Sequence, residues 1–242
     1  MMDNKAIPYL SLEEMIEVDR LMVDHFGIKL VQMMENAGRH LAELARNRFL
    51  EKDPREKKVL ILAGSGGNGG GAMASARNLH NWGAQVNLFL TKPADQLTGI
   101  ISHQAQINQK LGIIPDSSDL PPDSYRPDLI IDGIIGYSLK GAPRGRAADL
   151  IEWANAQDHP ILALDLPSGL HASTGEVFSP AIKASATMTL ALPKKGLKTP
   201  SVPVVGELYL ADIGVPPELY SHPPLHLQVG PIFSEGGIIR IR

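Results

Sequence analysis

A chain of 242 residues is long enough to bury a sizeable core in one α/β domain or two small ones. Its 43% hydrophobic and 20% charged content is that of an ordinary globular protein, and a net charge of -3 speaks against nucleic acid or an anionic membrane as the main partner. The lack of cysteine excludes disulfides, thiolate metal sites and a cysteine nucleophile. Met1 to Leu10 holds no apolar core of signal-peptide length, and no apolar run reaches bilayer-spanning length, so a cytoplasmic location is expected.

Two helices are predicted first, over about 11–50. Ser11 is a good N-cap, with Glu14 completing a capping box ahead of Met15, Val18, Leu21 and Met22. Gly27 ends that helix, and a second amphipathic stretch runs from Leu30 to Leu50. The pattern then changes to short apolar runs, the mark of strands buried on both faces. They are Val59–Ala63, Val86–Leu90, Leu129–Ile131, Ile161–Leu164, Met188–Leu192 and Leu208–Leu210. Helices expected over Ala72–Trp82, Ile101–Leu111 and Ala147–Ala156 separate most of them. Strand and helix in alternation predict an α/β, Rossmann-like three-layer fold with a mostly parallel sheet and helices on both faces. The α/β core is placed at about 58–215 within a single domain spanning 1–242. The proline- and glycine-rich tail from Pro216 is expected to wrap the surface or a partner.

Gly64-Ser65-Gly66-Gly67-Asn68-Gly69 follows a strand and opens a helix, the setting in which G-x-G-x-x-G cradles a phosphate-bearing ligand. A hydride-transfer enzyme is not expected. The second strand ends Leu90-Thr91-Lys92, with no acid until Asp95 to hold a ribose. Two later strands run into Asp132-Gly133 and Asp165-Leu166-Pro167-Ser168. In a doubly wound sheet these ends converge on the glycine loop, so Asn68, Asp132, Asp165 and Ser168 are expected to share one pocket. Amide, carboxylate and hydroxyl oxygens suit a hard cation, and a second carboxylate suits acid–base work. Lys194 and Lys195 follow a strand and fit either a phosphate contact or a solvated basic turn.

Six blocks carry a family resemblance. Met34-Glu35-Asn36-Ala37-Gly38, the glycine loop, Asp132–Gly136, Asp165–Gly169, Leu192–Leu197 and Ala211–Pro216 occur in the order of the NAD(P)H-hydrate epimerase family, the YjeF N-terminal domain. The resemblance covers about Ser11 to Pro217. It implies an enzyme, often a homodimer, that interconverts the R and S forms of hydrated NADH and NADPH (NADHX and NADPHX). A separate dehydratase then restores the S form to the normal cofactor. The chain ends short of a second domain of that kind, so a stand-alone epimerase is expected.

The resemblance places potassium ligands on Asn68, Asp132 and Ser168. It places substrate contacts on Gly67, Asn68, Gly69, Gly70 and Gly71, on Gly136, Tyr137, Ser138, Leu139, Lys140, Gly141 and Ala142, and on Asp165. Asp165 is the expected acid–base group. The loop departs from the family's G-x-G-N-N-G-G-D-G at Gly67, Gly71 and Ala72. Loss of the aspartate at Gly71 leaves a second reading open, a family member that binds nucleotide or serves as a scaffold without catalysis.

Overall fold

The computed structural model describes residues 7–198 and 203–242; part of the N-terminal reading, residues 1–6, lies outside them. Helix α1 (Leu12–Arg20) begins with the expected capping box. The Glu14 amide donates to the Ser11 hydroxyl at 3.3 Å, and the Ser11 amide donates to the Glu14 carboxylate at 2.6 Å. A π-helical turn, Leu21–His25, follows, and Gly27 closes it at φ +69°. Helix α2 (Leu30–Arg48) then buries Met33, Met34, Ala37 and Leu41 along one side.

Strands β1 (Lys58–Ala63), β2 (Gln85–Leu90), β3 (Pro115–Asp116), β4 (Leu129–Gly133), β5 (Ile161–Leu164), β6 (Ala186–Leu190), β7 (Glu207–Ala211) and β8 (Ile238–Arg240) form one sheet in the order β3-β2-β1-β4-β5-β6-β7-β8. Only β8 runs antiparallel to its neighbour. Helices α3 (Gly67–Asn81), α4 (Gly99–Lys110) and α5 (Arg146–Ala156) connect the strands. The two-residue period of a strand sorts the core. Val59, Ile61 and Ala63 meet α2, α3 and α4 on one face, whereas Leu60 and Leu62 meet α5 on the other. The three-layer α/β architecture is therefore as expected. The sheet winds outward in both directions from β1 and β4, and that switch point sets the ligand crevice.

Helix α3, strand β6 and the C-terminal tail depart most from expectation. Helix α3 starts at Gly67, not Ala72, because the glycines themselves form its first turn despite poor helix propensity. Strand β6 spans Ala186–Leu190 rather than Met188–Leu192, because it pairs Leu162 of β5 with Ala186, and the chain leaves the strand at Ala191 with φ +62°. The tail packs rather than merely wraps. Leu219, Tyr220 and Leu225 join a cluster with α1, and β8 extends the sheet. Among the described residues no helix is long and apolar enough to cross a membrane.

Helices α2 and α3 touch at their backbones because position 38 has no side chain. A Cβ added at Gly38 would lie 2.5 Å from the Ala74 Cβ and 2.8 Å from the Gly71 carbonyl oxygen. Helix propensity alone makes alanine better than glycine by ~1 kcal/mol, but the clash with backbone reverses the sign. Gly38→Ala is therefore expected to lower stability by about 1–3 kcal/mol in urea denaturation. An unchanged or higher midpoint would show that the two helices are not in contact here.

Candidate active site

The crevice at the strand ends is a cleft of about 670 Å³, a volume suited to a nucleotide-sized ligand. Its floor comes from the first turn of α3. There the chain turns so tightly that a Cβ at Gly69 would sit 1.8 Å from the Gly64 carbonyl oxygen, and one at Gly64 would sit 1.9 Å from that of Ile134. No other residue allows this approach. The helix-opening amides of Gly66–Asn68 border the cleft, with Lys92 and Arg144 at the same mouth. Arg146 is committed to structure: its guanidinium donates to the carbonyls of Leu90 at 2.7 Å and Asp119 at 2.8 Å.

Asn68, Asp132 and Ser168 converge on the loop after β4. The Asn68 amide donates to the Leu164 carbonyl at 2.7 Å, and its carboxamide fills the space that a side chain at Gly136 would take. Asp132 is fully buried and accepts from the Ser168 hydroxyl at 2.6 Å, the Ser168 amide at 2.8 Å and the Ile134 amide at 3.1 Å. Burial pushes its carboxyl up to about 6, against those three donors. No cationic side chain pairs with it among the described residues. The donors are all oxygen with a single carboxylate, a set that fits a monovalent cation.

Asp165 stands at the end of β5 in the left-handed region, φ +67°, a conformation that aspartate tolerates and that recurs at functional sites. The residue is 1% exposed, and one of its carboxylate oxygens accepts every hydrogen bond that the described residues give it. Oδ1 accepts from the Lys194 ammonium, from the Thr189 hydroxyl at 3.3 Å and from the Leu190 amide at 3.3 Å. Oδ2 has no protein donor among the described residues, and Asp165 lines the cleft. Lys194 corrects the reading of a solvated basic turn, and its ammonium is committed to Asp165 at the edge of the cleft. It is 0% exposed, and its remaining donors go to the Leu190 carbonyl at 2.9 Å and the Thr189 hydroxyl at 3.5 Å. Lys195 turns outward and pairs with Glu14 at 2.9 Å.

The expected substrate contacts divide. Gly67, Asn68, Gly71, Gly136, Tyr137, Ser138 and Asp165 line the cleft, whereas Gly69, Gly70, Leu139, Lys140, Gly141 and Ala142 do not. Gly69 and Gly70 are used for packing, Gly70 against Met34 and Ile101, and the Leu139 side chain is buried. A Cβ at Gly71 would meet Leu164 Cδ2 at 3.0 Å, so that leucine occupies the side of the cleft where the family's aspartate would start. Sequence reasoning missed Asp19. It lines the cleft from α1, and the Tyr137 hydroxyl donates to its carboxylate. A signal was present: Asp19 follows the buried Met15 by one helical turn, so a carboxylate sits on the apolar face.

Residues 30–196 match the family described as YjeF-related protein N-terminus. The chain belongs to this family. An NAD(P)H-hydrate epimerase of Dehalogenimonas lykanthroporepellens is 39% identical over 239 residues, which cover 99% of this chain and 95% of that protein. One from Rhodopirellula baltica is 34% identical, covering 88% and 87%. The bifunctional NAD(P)H-hydrate repair enzyme Nnr of Moorella thermoacetica is 37% identical over 87% of this chain but only 41% of its own length. Among solved structures, that of the yeast protein ynu0 superposes with a TM-score of 0.81 over 97% of this chain at 22% identity. The two structures share one fold.

The buried pair is the most consequential charge arrangement in the cleft. Removing one member of such a pair strands the other without water, which costs about 3–5 kcal/mol, whereas replacing both by apolar groups is nearly neutral. Lys194→Met is therefore expected to lower stability by that amount, and Lys194→Met combined with Asp165→Asn, which is uncharged and keeps the left-handed backbone, to recover most of it. Guanidinium denaturation of the two variants is the check. A single variant as stable as the parent would mean that the pair is solvated.

Proposed function

We infer that this chain is an NAD(P)H-hydrate epimerase that interconverts the R and S hydrates of NADH and NADPH. The observation that carries the reading is Asp165, which lines a cleft sized for a nucleotide and has one carboxylate oxygen without a protein donor among the described residues. Relatives bearing the enzyme's name cover the chain almost end to end. A family member that has lost catalysis is not favoured, because Asp165, Asn68, Asp132 and Ser168 are all in place despite Gly71.

The reaction exchanges the face on which one hydroxyl sits. The C–O bond breaks, the hydroxyl takes up a proton and departs as water, and the ring nitrogen's electron pair supports the resulting ring cation. Water then adds to the other face and gives up a proton. Asp165 Oδ2 is the group we assign to that proton transfer, and its negative charge opposes the positive charge that develops on the ring. The α3 amides, Lys92 and Arg144 would take the phosphates. The apolar wall formed by Met15, Leu30, Met33 and Met34 suits the flat nicotinamide ring. A cytoplasmic setting and a functional link to a dehydratase specific for the S form complete the reading. The exposed Ile16, Val23 and Leu30 suit a homodimer contact.

The decisive assay starts from purified R-NADHX with an S-specific dehydratase and follows recovery of NADH absorbance. Recovery faster than the spontaneous rate is expected, and Asp165→Asn is expected to slow it by ~100-fold or more. Equal rates with and without the protein would end the epimerase reading. Equal rates for parent and variant would remove Asp165 from the mechanism.

Asn68, Asp132 and Ser168 would hold a potassium ion. Bound there, it would supply the counter-charge that buried Asp132 lacks and tie the α3 turn to the loops after β4 and β5. A ligand that binds only the folded state raises the melting temperature. Potassium chloride is expected to do so relative to choline chloride at equal ionic strength, and Ser168→Ala to abolish the difference. Identical melting in both salts would argue against the site.

A further inference from the structure

Inversion at a carbon sets a requirement that one carboxylate does not meet. The departing hydroxyl and the arriving water lie on opposite faces of a flat ring cation. A proton must be given on one face and taken on the other, and a single oxygen, Asp165 Oδ2, reaches one of them. Resting on the epimerase reading, we propose that Asp19, acting through the Tyr137 hydroxyl, is the second proton-carrying group of the reaction.

The other titratable side chains of the cleft are accounted for. Lys194 spends its ammonium on Asp165, Leu190 and Thr189. Arg146 is held by backbone carbonyls, and a guanidinium does not release its proton in any case. Lys92 and Arg144 are exposed cations at the mouth beside the α3 amides, where phosphate belongs. Asp19 and Tyr137 remain. They come from α1 and from the loop after β4, so they approach the cleft from elements other than those that carry Asp165 and Lys194.

Their placement is built, not incidental. The segment before α1 is clamped to the turn that carries Lys194: the Leu10 amide donates to the Pro193 carbonyl at 2.8 Å, and the Lys195 amide donates to the Leu10 carbonyl at 2.8 Å. Met15 and Val18 seat the helix in a core cluster that also contains Leu192. Burial pushes the Asp19 carboxyl above its ordinary range, against the Tyr137 hydrogen bond and the Lys194 charge, and the Asp165 charge adds to the rise. A carboxyl raised in this way beside an ion-paired carboxylate is the pattern by which acid and base are assigned in one site.

The step balances. In the acid form of the pair the Asp19 carboxyl holds the proton and the hydrogen bond is reversed, Asp19 donating to the Tyr137 oxygen; from R to S, Asp19 passes that proton to Tyr137 as Tyr137 gives its own to the departing hydroxyl. The C–O bond breaks, and water leaves. The arriving water forms the new C–O bond and loses a proton to Asp165 Oδ2. Exchange with solvent resets both carboxyls, and from S to R the two groups exchange roles.

Asp19→Asn separates this from a purely positioning role, because an asparagine oxygen still accepts from the Tyr137 hydroxyl but has no acid proton to give. Direct chromatographic measurement of R-to-S conversion is expected to show kcat lowered by ~100-fold with KM changed by less than about threefold and a melting curve like the parent's. Tyr137→Phe is expected to fall in kcat in the same way, and it tests the relay even if Asp19→Asn does not fold. Asp19→Asn with kcat within about threefold of the parent would overturn the proposal, including the case in which Tyr137→Phe alone is slow, which would reduce the pair to a latch between α1 and the loop. Those outcomes leave the epimerase reading intact. A parent protein that does not convert R to S would overturn both.

Discussion

A buried ion pair organises this cleft. Asp165 and Lys194 have almost no exposure to water, so each depends on the other for charge compensation. Bringing two charges out of water is costly unless every donor and acceptor finds a partner. The site meets that condition asymmetrically. Lys194 directs its donors to three oxygens, and all protein donors to Asp165 fall on Oδ1. The result is a carboxylate held rigidly by one oxygen with the other unengaged by protein. The same turn, through Leu10, fixes the position of α1 and therefore of Asp19. The turn that carries Lys194 thus helps to position both carboxyl groups.

The sheet supplies the precision. Parallel pairing sets Leu62 beside Asp132 and Asp132 beside Ala163, so the ends of β1, β4 and β5 are level. Loops leaving level strand ends meet over the switch point. This is why the α3 turn, the Asp132–Ser168 pair and Asp165 form one cleft although they are far apart in sequence. Close contacts at Gly64, Gly69 and Gly38 bring backbone against backbone, which leaves the ligand and not a side chain to fill the crevice.

The two leading helices complete the cleft. The sheet and α3 provide a phosphate-type floor with polar strand ends. The apolar wall comes from Met15 on α1 and Met33 and Met34 on α2. Glu35 and Asn36, within the same block, hold α2 in place: Glu35 bonds Arg77 and Gln104, and the Asn36 amide donates to the Ile213 carbonyl at 3.2 Å. A block that resembles a motif of the reaction therefore serves partly to orient the wall.

Local pattern determined a great deal. Runs such as Val59–Ala63 and Ile161–Leu164 read as strands because residues buried on both faces must be continuously apolar, and Ser11 with Glu14 marks a helix start through short-range hydrogen bonds. The glycine turn and the aspartates at strand ends were legible for the same reason. Strands β3 and β8 were not, since two or three residues carry no periodicity and owe their state to the neighbour they pair with. Lys194 was undetermined between phosphate and solvent, because burial of a lysine depends on whether a carboxylate 29 positions away faces it. Asp19 and Tyr137 meet across 118 positions. Such contacts arise only when the whole sheet has closed, so the sequence named the chemistry of the cleft and the tertiary structure decided which charges are paired within it.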